Sequence, residues 1–125
     1  FDMGLKILDG WAFGMLMTET EINKERGVII EEWRLHQGAD DRLREKTWPI
    51  MLKGSLYAER LPIGTLESLQ NFKPESIRSF YKTWYRPENM AIVVVGDFDA
   101  DEMEQKVKDF FQMNTAPSTP LVRPT

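Results

Sequence analysis

The chain has 125 residues, of which 42% are hydrophobic and 11% aromatic, enough for one domain with a hydrophobic core and unlike a disordered segment. Sixteen Lys and Arg against 20 Asp and Glu give a net charge of −4, which provides no electrostatic footprint for nucleic acid. The longest apolar run, residues 90–95, is far too short to span a bilayer. The absence of cysteine excludes disulfides, thiolate metal ligands and cysteine nucleophiles.

Hydrophobic spacing and capping residues predict helices through the first half of the chain. Residues 1–16 carry apolar side chains at nearly helical intervals and indicate a buried helix. Thr18 and Glu21 form a capping-box pair that starts a second helix, which runs to about Gln37. A third helix is predicted over 40–52, capped by Asp40 and kinked or ended by a proline at position 49.

The second half combines shorter helices with a single predicted strand. Residues 54–64 read as a loop, and further helices are predicted to begin at Thr65, at Pro74 and after Asp99. Residues 91–96 contain a continuous β-branched run, typical of a strand buried on both faces. Because a lone strand leaves its backbone groups unpaired, its neighbours must come from outside this chain. We therefore expect an α+β fold that is mostly helical, with one buried strand at about 90–96 from a mostly missing sheet.

The second helix places acidic residues where a helix is usually apolar. At 100° per residue, Ile22, Ile29 and Trp33 cluster on one side of the helix axis, and Val28 and Leu35 cluster on another. Between these two groups, in the middle of the apolar arc, lie three polar side chains: Glu25, Glu32 and His36. A buried carboxylate is normally paired, protonated or bound to a metal.

Two interpretations of these carboxylates remain open on the residues alone. Glu25 and Glu32 are two helical turns apart, which suits one carboxylate that binds a metal and a second that orients the ligands from behind. The alternative is that both form ion pairs with nearby arginines, at positions 26, 34, 42 or 44. His36, four residues after Glu32, could complete a Glu/His clasp, or could simply be a helix-end residue favoured by the helix dipole.

Three motifs, in order, resemble those of the insulinase-like (pitrilysin, M16) zinc peptidases. Residues 24–32, KERGVIIEE, resemble the family's ERGVxxEE helix, and the stretch RLPIG at 60–64 also resembles the family. Residues 80–97, FYKTWYRPENMAIVVVGD, look like its FYxxWYRPxNMxxxVVGD signature. The resemblance spans nearly the whole chain, from about Phe1 to Phe111.

The resemblance implies roles for the two acids. In this family an inverted His-x-x-Glu-His helix supplies two zinc ligands and the general base, and a downstream glutamate supplies the third ligand. Aligned on the motif, Glu32 resembles that third ligand and Glu25 resembles the acid that supports the ligands from behind. His36 has no role in the family pattern. The implied fold is a two-layer α/β peptidase domain.

The chain departs from the family in containing one histidine and no His-x-x-Glu-His. By the family's spacing, that motif is expected roughly 40–45 residues before Phe1. No catalytic residue is therefore predicted in this chain, and the fragment alone is expected to be inactive and to bind no zinc. Residues 1–113 are expected to be the later portion of the first peptidase domain, and residues 114–125 the start of an interdomain linker.

The favoured function is that of a zinc-dependent endopeptidase acting on peptides or unfolded segments through a metal-activated water. The alternative is a non-catalytic M16-like partner subunit that completes the peptidase chamber; a helical interaction module unrelated to proteolysis explains the apolar stripes but not the acids. Expected partners are a peptide substrate and a second homologous domain or subunit, with self-association through the unpaired strand. Resemblance to bacterial two-domain members implies a periplasmic or cell-envelope location.

Overall fold

The computed structural model describes residues 1–122, which form six α-helices and two short 3₁₀ helices. The α-helices are α1 (Asp2–Phe13), α2 (Glu19–Leu35), α3 (Ala39–Met51), α4 (Leu66–Asn71), α5 (Pro74–Trp84) and α6 (Ala100–Phe111). The 3₁₀ helices are Leu56–Ala58 and Pro87–Asn89. The chain divides into two compact units: residues 17–76 form one, and residues 1–16 with the described residues from Ile77 onward form the other.

Three predicted helix starts are confirmed by their caps. The side-chain oxygens of Thr18, Thr65 and Asp99 each accept a hydrogen bond from a backbone N–H in the first turn that follows, at 3.3, 3.1 and 3.0 Å. Each bond satisfies a donor that the start of a helix leaves without an intrahelical partner. Pro74 is the first residue of α5, where its missing N–H costs nothing.

Helix α3 differs from the prediction at its start. Its N-cap is Gly38, which makes no side-chain capping bond, and Asp40 lies in the first turn rather than at the cap. Pro49 stays inside the helix, two residues before its end at Met51. A proline this close to the end removes only one of the last intrahelical bonds, and Leu52 N still donates to Trp48 O at 2.9 Å.

In the unit formed by residues 1–16 and 77–122, α1 packs against α6. Leu5 and Met103 are its buried hydrophobic side chains, 4% and 7% exposed. Lys106 Nζ donates to Asp2 Oδ1 at 2.7 Å, and Asn114 Nδ2 donates to Asp9 Oδ1 at the same distance. Both bonds connect α1 to α6 or to the residues that follow it.

In the unit formed by residues 17–76, α2 packs against α4, and α3 packs against the first 3₁₀ helix. Ile22 of α2 is the buried hydrophobic residue described in this unit, 7% exposed. The side of α2 that the sequence assigned to Ile22, Ile29 and Trp33 is indeed the covered one, since Ile29 and Trp33 are half-buried.

The predicted strand at about 90–96 is wrong. Residues 1–122 contain no β-strand, and Val93 and Val95, expected to be buried, are 83% and 90% exposed. Met90 does have extended backbone angles, φ −114° and ψ 152°. A β-branched run favours that conformation, but a strand also needs a neighbour for its backbone groups, and the described chain provides none. The described fold is therefore helical, and self-association through residues 90–96 stays a prediction.

The residues after α6 do not separate from their unit within the described range. Arg86 Nη1 donates to Thr119 O at 2.8 Å. The linker predicted from residue 114 stays a prediction, and positions 123–125 lie outside the described residues. None of the described helices is both long and apolar enough to cross a membrane.

Candidate metal centre

Helix α2, which carries both candidate acids, is held in place by Arg26. Arg26 Nη1 donates to Leu69 O at 2.6 Å and Nη2 donates to Phe72 O at 2.8 Å. The guanidinium carbon also lies 3.7 Å from the centroid of the Phe72 ring. These contacts fix α2 against the end of α4 and so set the direction in which Glu25 and Glu32 project.

The two acids and His36 are exposed, contrary to the expectation that they are buried. The described residues bury no charged or polar side chain at all. The reason is that only one flank of the predicted apolar arc is covered: Val28 and Leu35 on the other flank are 56% and 84% exposed. The sequence identified the arc, but no other part of residues 1–122 packs against that half of it.

The arginines proposed as ion-pair partners are engaged elsewhere. Arg26 bonds backbone carbonyls, Arg34 Nη1 lies 2.5 Å from Glu31 Oε1, and Arg44 pairs with Asp41. Arg42 Nη1 donates to the Gln37 carbonyl at 2.7 Å. Within residues 1–122 none of the four forms an ion pair with either acid, so the ion-pair interpretation has no support in this fold.

The side chain of His36 contacts the backbone at the end of its own helix. It is the C-cap of α2, and its Nδ1 lies 3.0 Å from the backbone oxygen of Glu32, to which it donates when Nδ1 carries the proton. The imidazole therefore contacts the backbone oxygen of Glu32 and not its side-chain carboxylate. The Glu/His clasp considered from spacing is not formed.

The described residues do not fit a zinc ion by themselves. Among residues 1–122 no group of three or more His, Cys, Asp or Glu side chains is close enough to hold a metal. Zinc sites in proteins use three or four protein ligands, whereas Glu32 offers one carboxylate. What this chain can supply is a single oxygen ligand on an anchored helix.

Next to Glu32 is a cavity of about 250 Å³ that sequence patterns did not reveal. Residues from the end of α2, from α3 and from the loop 61–64 line it, and they include Trp33, Trp48 and Glu45. The signal that could have identified it is the spacing of Asp41, Glu45 and Trp48, which places all three on one face of α3.

Comparisons with known proteins agree on one family. The sequence profile described as "Peptidase M16 inactive domain" matches residues 71–125. The chain is 37% identical over 105 residues to "Probable zinc protease PqqL" of Escherichia coli K12, which covers 84% of this chain and 11% of that protein. It is 34% identical over 117 residues to "Zinc protease PQQL-like" of Arabidopsis thaliana, covering 93% and 12%.

A solved structure supports the same relationship. The first half of the periplasmic protease PqqL from Escherichia coli matches 98% of this chain with a TM-score of 0.86 and 34% identity, and the match covers 26% of that structure. The chain thus spans only 11% and 12% of the length of these two curated relatives. By sequence profile, sequence identity and fold, the chain belongs to the M16 family of zinc proteases.

Proposed function

We propose that this chain is part of a zinc-dependent peptidase and contributes Glu32 as one ligand of the metal. The observation that supports this most is the pair of carboxylates, two turns apart on α2, which is anchored by Arg26, while the nearby Arg34 and Arg44 pair with Glu31 and Asp41 instead. Glu25 would orient the zinc ligands without binding the metal itself. Covering the exposed flank of Val28 and Leu35 would enclose both carboxylates, where a metal stabilises them.

The other ligands and the general base would come from the rest of the parent protein, because the chain contains one histidine. When bound, zinc polarises a scissile carbonyl and lowers the pKa of its bound water. The role of this chain is to present one anionic oxygen from a fixed helix. We propose peptides or unfolded segments as the substrate class. A homologous domain or subunit would close the chamber.

A second candidate, a non-catalytic partner subunit, draws on the description "inactive domain" of the matching profile. That match covers residues 71–125 and does not include α2, so it carries no information about Glu25 or Glu32. A subunit without metal would have no need for two unpaired acids on one helix face. We therefore favour the peptidase.

The test is Glu32→Gln in the full-length protein. We expect loss of stoichiometric zinc and of peptidase activity together, because the amide is a neutral and far weaker ligand. Glu31→Gln is the matched control, since Glu31 is adjacent, exposed and paired with Arg34. Unchanged zinc content in Glu32→Gln, measured by elemental analysis, would exclude the ligand assignment.

Glu25→Gln tests the supporting acid separately. We expect zinc affinity to fall roughly 10- to 100-fold while one zinc per protein still binds at saturating metal, since outer partners of metal ligands have effects of that size. Competition with a chelator measures the affinity. A loss of zinc as complete as in Glu32→Gln would show that Glu25 is itself a ligand.

We also propose a periplasmic location, because the structural relative is named a periplasmic protease. Fractionation of cells that express the full-length protein measures this directly. Recovery with the cytoplasmic fraction would contradict it.

A further inference from the structure

Residues 114–121, which follow α6 and which we call the strap, are attached to their unit near both ends. At the first end, Asn114 Nδ2 donates to Asp9 Oδ1 at 2.7 Å. Near the other end, Arg86 Nη1 donates to the backbone oxygen of Thr119 at 2.8 Å. The side chains between these two bonds are exposed, so the strap is held mainly by its ends.

The attachment of the strap stops at Leu121. Leu121 is half-buried, whereas the next residue, Val122, is 85% exposed. Pro117 and Pro120 have no backbone N–H, so the strap loses no hydrogen bond at these positions when it leaves the surface. Each proline also favours extended backbone at the residue before it. Such a segment can be docked or free without any change of secondary structure.

Arg86 is suited both to hold the strap and to release it. Its side chain is 11% exposed, so solvent screens its bond to Thr119 only weakly. The same Nη1 lies 3.4 Å from Glu88 Oε1, a second acceptor that stays in place when Thr119 leaves. The buried Nε of Arg86 makes no hydrogen bond within the described residues, and an unsatisfied buried donor makes the docked arrangement less favourable.

We propose that Arg86 is a latch: the strap is docked while the guanidinium bonds the Thr119 carbonyl, and free when the guanidinium turns to Glu88. Residues 114–121, fully extended, span up to about 26 Å. Opening of the latch therefore sets how far the unit can move from whatever follows the strap in the full-length protein. The proposal rests on the proposed peptidase function only in treating that remainder as the part that closes the chamber, because the latch needs no metal.

Limited digestion of the full-length protein with chymotrypsin tests the latch at the Leu121–Val122 bond, since a protease cleaves a segment while it is detached from its unit. Arg86→Met removes the donor and keeps a long side chain. We expect cleavage of this bond to be about tenfold faster, because the lost hydrogen bond involves a charged group. In Glu88→Gln we expect cleavage about threefold slower, because the neutral amide is a weaker acceptor for the released guanidinium. Mass spectrometry identifies the cleaved bond.

Lys82→Met is the matched control, since Lys82 is an exposed basic residue of α5 in the same unit. Its cleavage rate should equal that of the unmodified protein. Cleavage after Phe110, inside α6, reports general unfolding and should not accelerate in Arg86→Met.

Three results overturn the proposal: no acceleration at Leu121 in Arg86→Met, equal acceleration at Phe110, or a rate in Glu88→Gln that is unchanged or higher. The cleavage rate is read without zinc or catalysis. Failure of the zinc-ligand assignment at Glu32 therefore leaves a distinct result, in which the latch variants behave as expected and stoichiometric zinc is absent.

Discussion

Arg26 connects α2 to the end of α4 through one guanidinium. It donates to Leu69 O, Phe72 O and Asn23 Oδ1 and stacks on the Phe72 ring. In Arg26→Leu the two backbone carbonyls, which are partly buried, lose their donor. We expect the free energy of unfolding to fall by about 1–3 kcal/mol, the cost of leaving such groups unsatisfied. Urea denaturation measures it.

Arg34→Leu is the control for Arg26→Leu. Arg34 pairs with Glu31, but its side chain is 61% exposed, and an exposed pair contributes little. We expect a change within about 0.5 kcal/mol. Equal losses in the two variants would show that Arg26 does not anchor α2 as described.

The bond between Asp2 and Lys106 predicts a dependence on pH. The hydrogen bond from Lys106, followed by its positive charge, holds the pKa of Asp2 below the usual 3.8. A carboxylate whose pKa is lower in the folded state stabilises above the unfolded value, and the gain is lost as pH falls through the folded value. Asp2→Asn should therefore be slightly less stable than the unmodified chain at pH 6, and the difference should vanish below the folded pKa.

Thermal unfolding of Asp2→Asn at several pH values measures this difference. Glu19→Gln is a suitable control, because Glu19 is exposed at the start of α2 and has no such lysine partner among the described residues. A stability difference in Asp2→Asn that persists unchanged at the lowest pH would contradict the assignment.

At the candidate site, the sequence predicted the helix that carries the two acids but not the surroundings of that helix. Helical periodicity correctly placed Glu25 and Glu32 on one face of α2, because spacing along a helix is a local property. Their burial was predicted wrongly, because burial depends on what covers Val28 and Leu35, and nothing in residues 1–122 does. The cavity at Trp48 was missed since it needs α2, α3 and a distant loop together.

At the scale of elements, the Asp99 side chain accepts two capping bonds at the start of α6, where Thr18 and Thr65 each accept one. Its Oδ1 accepts bonds from the backbone N–H groups of Asp101 and Glu102, both at 3.0 Å. Asp99→Ala should lower the free energy of unfolding by about 1 kcal/mol, the usual cost of losing an N-cap. Chemical denaturation followed by circular dichroism measures the loss.

Asp97→Ala serves as the control for the cap, because Asp97 is an exposed acid two residues earlier and lies outside α6. It removes the same charge without removing a capping bond. We expect its effect to be within about 0.5 kcal/mol. A loss as large as that of Asp99→Ala would assign the effect to charge rather than to capping.

The contrast between the helices and the missing strand has a physical cause. Thr18, Thr65 and Asp99 start helices through bonds to residues two or three positions away, so the sequence itself contains both partners. A strand at residues 90–96 would need a partner segment far away in the chain. Its β-branched composition predicted an extended backbone, which Met90 has, and could not predict the pairing.

At the scale of the whole molecule, the described chain buries few apolar side chains. Leu5, Ile22 and Met103 are the buried hydrophobic residues of residues 1–122. Large side chains on several elements remain open to solvent, and Leu35, Val93 and Val95 are each more than 80% exposed. Exposed apolar surface of this extent is characteristic of interaction surfaces. It agrees with the proposal that this chain is a portion of a larger peptidase.

The exposed apolar surface predicts how the isolated 125-residue chain unfolds in urea and binds dye. The denaturant dependence of unfolding scales with the surface newly exposed, and small proteins show about 1–3 kcal/mol/M in urea. With so little apolar surface to expose, this chain should fall at or below the bottom of that range and unfold over a broad urea interval. It should also bind the dye ANS strongly at neutral pH, since ANS reports exposed apolar surface. A steep, cooperative transition without ANS binding would mean that these faces are covered in solution. In the full-length protein, by contrast, we expect ANS to bind these surfaces much more weakly. Leu35 and its neighbours would then be packed against the remainder of the peptidase.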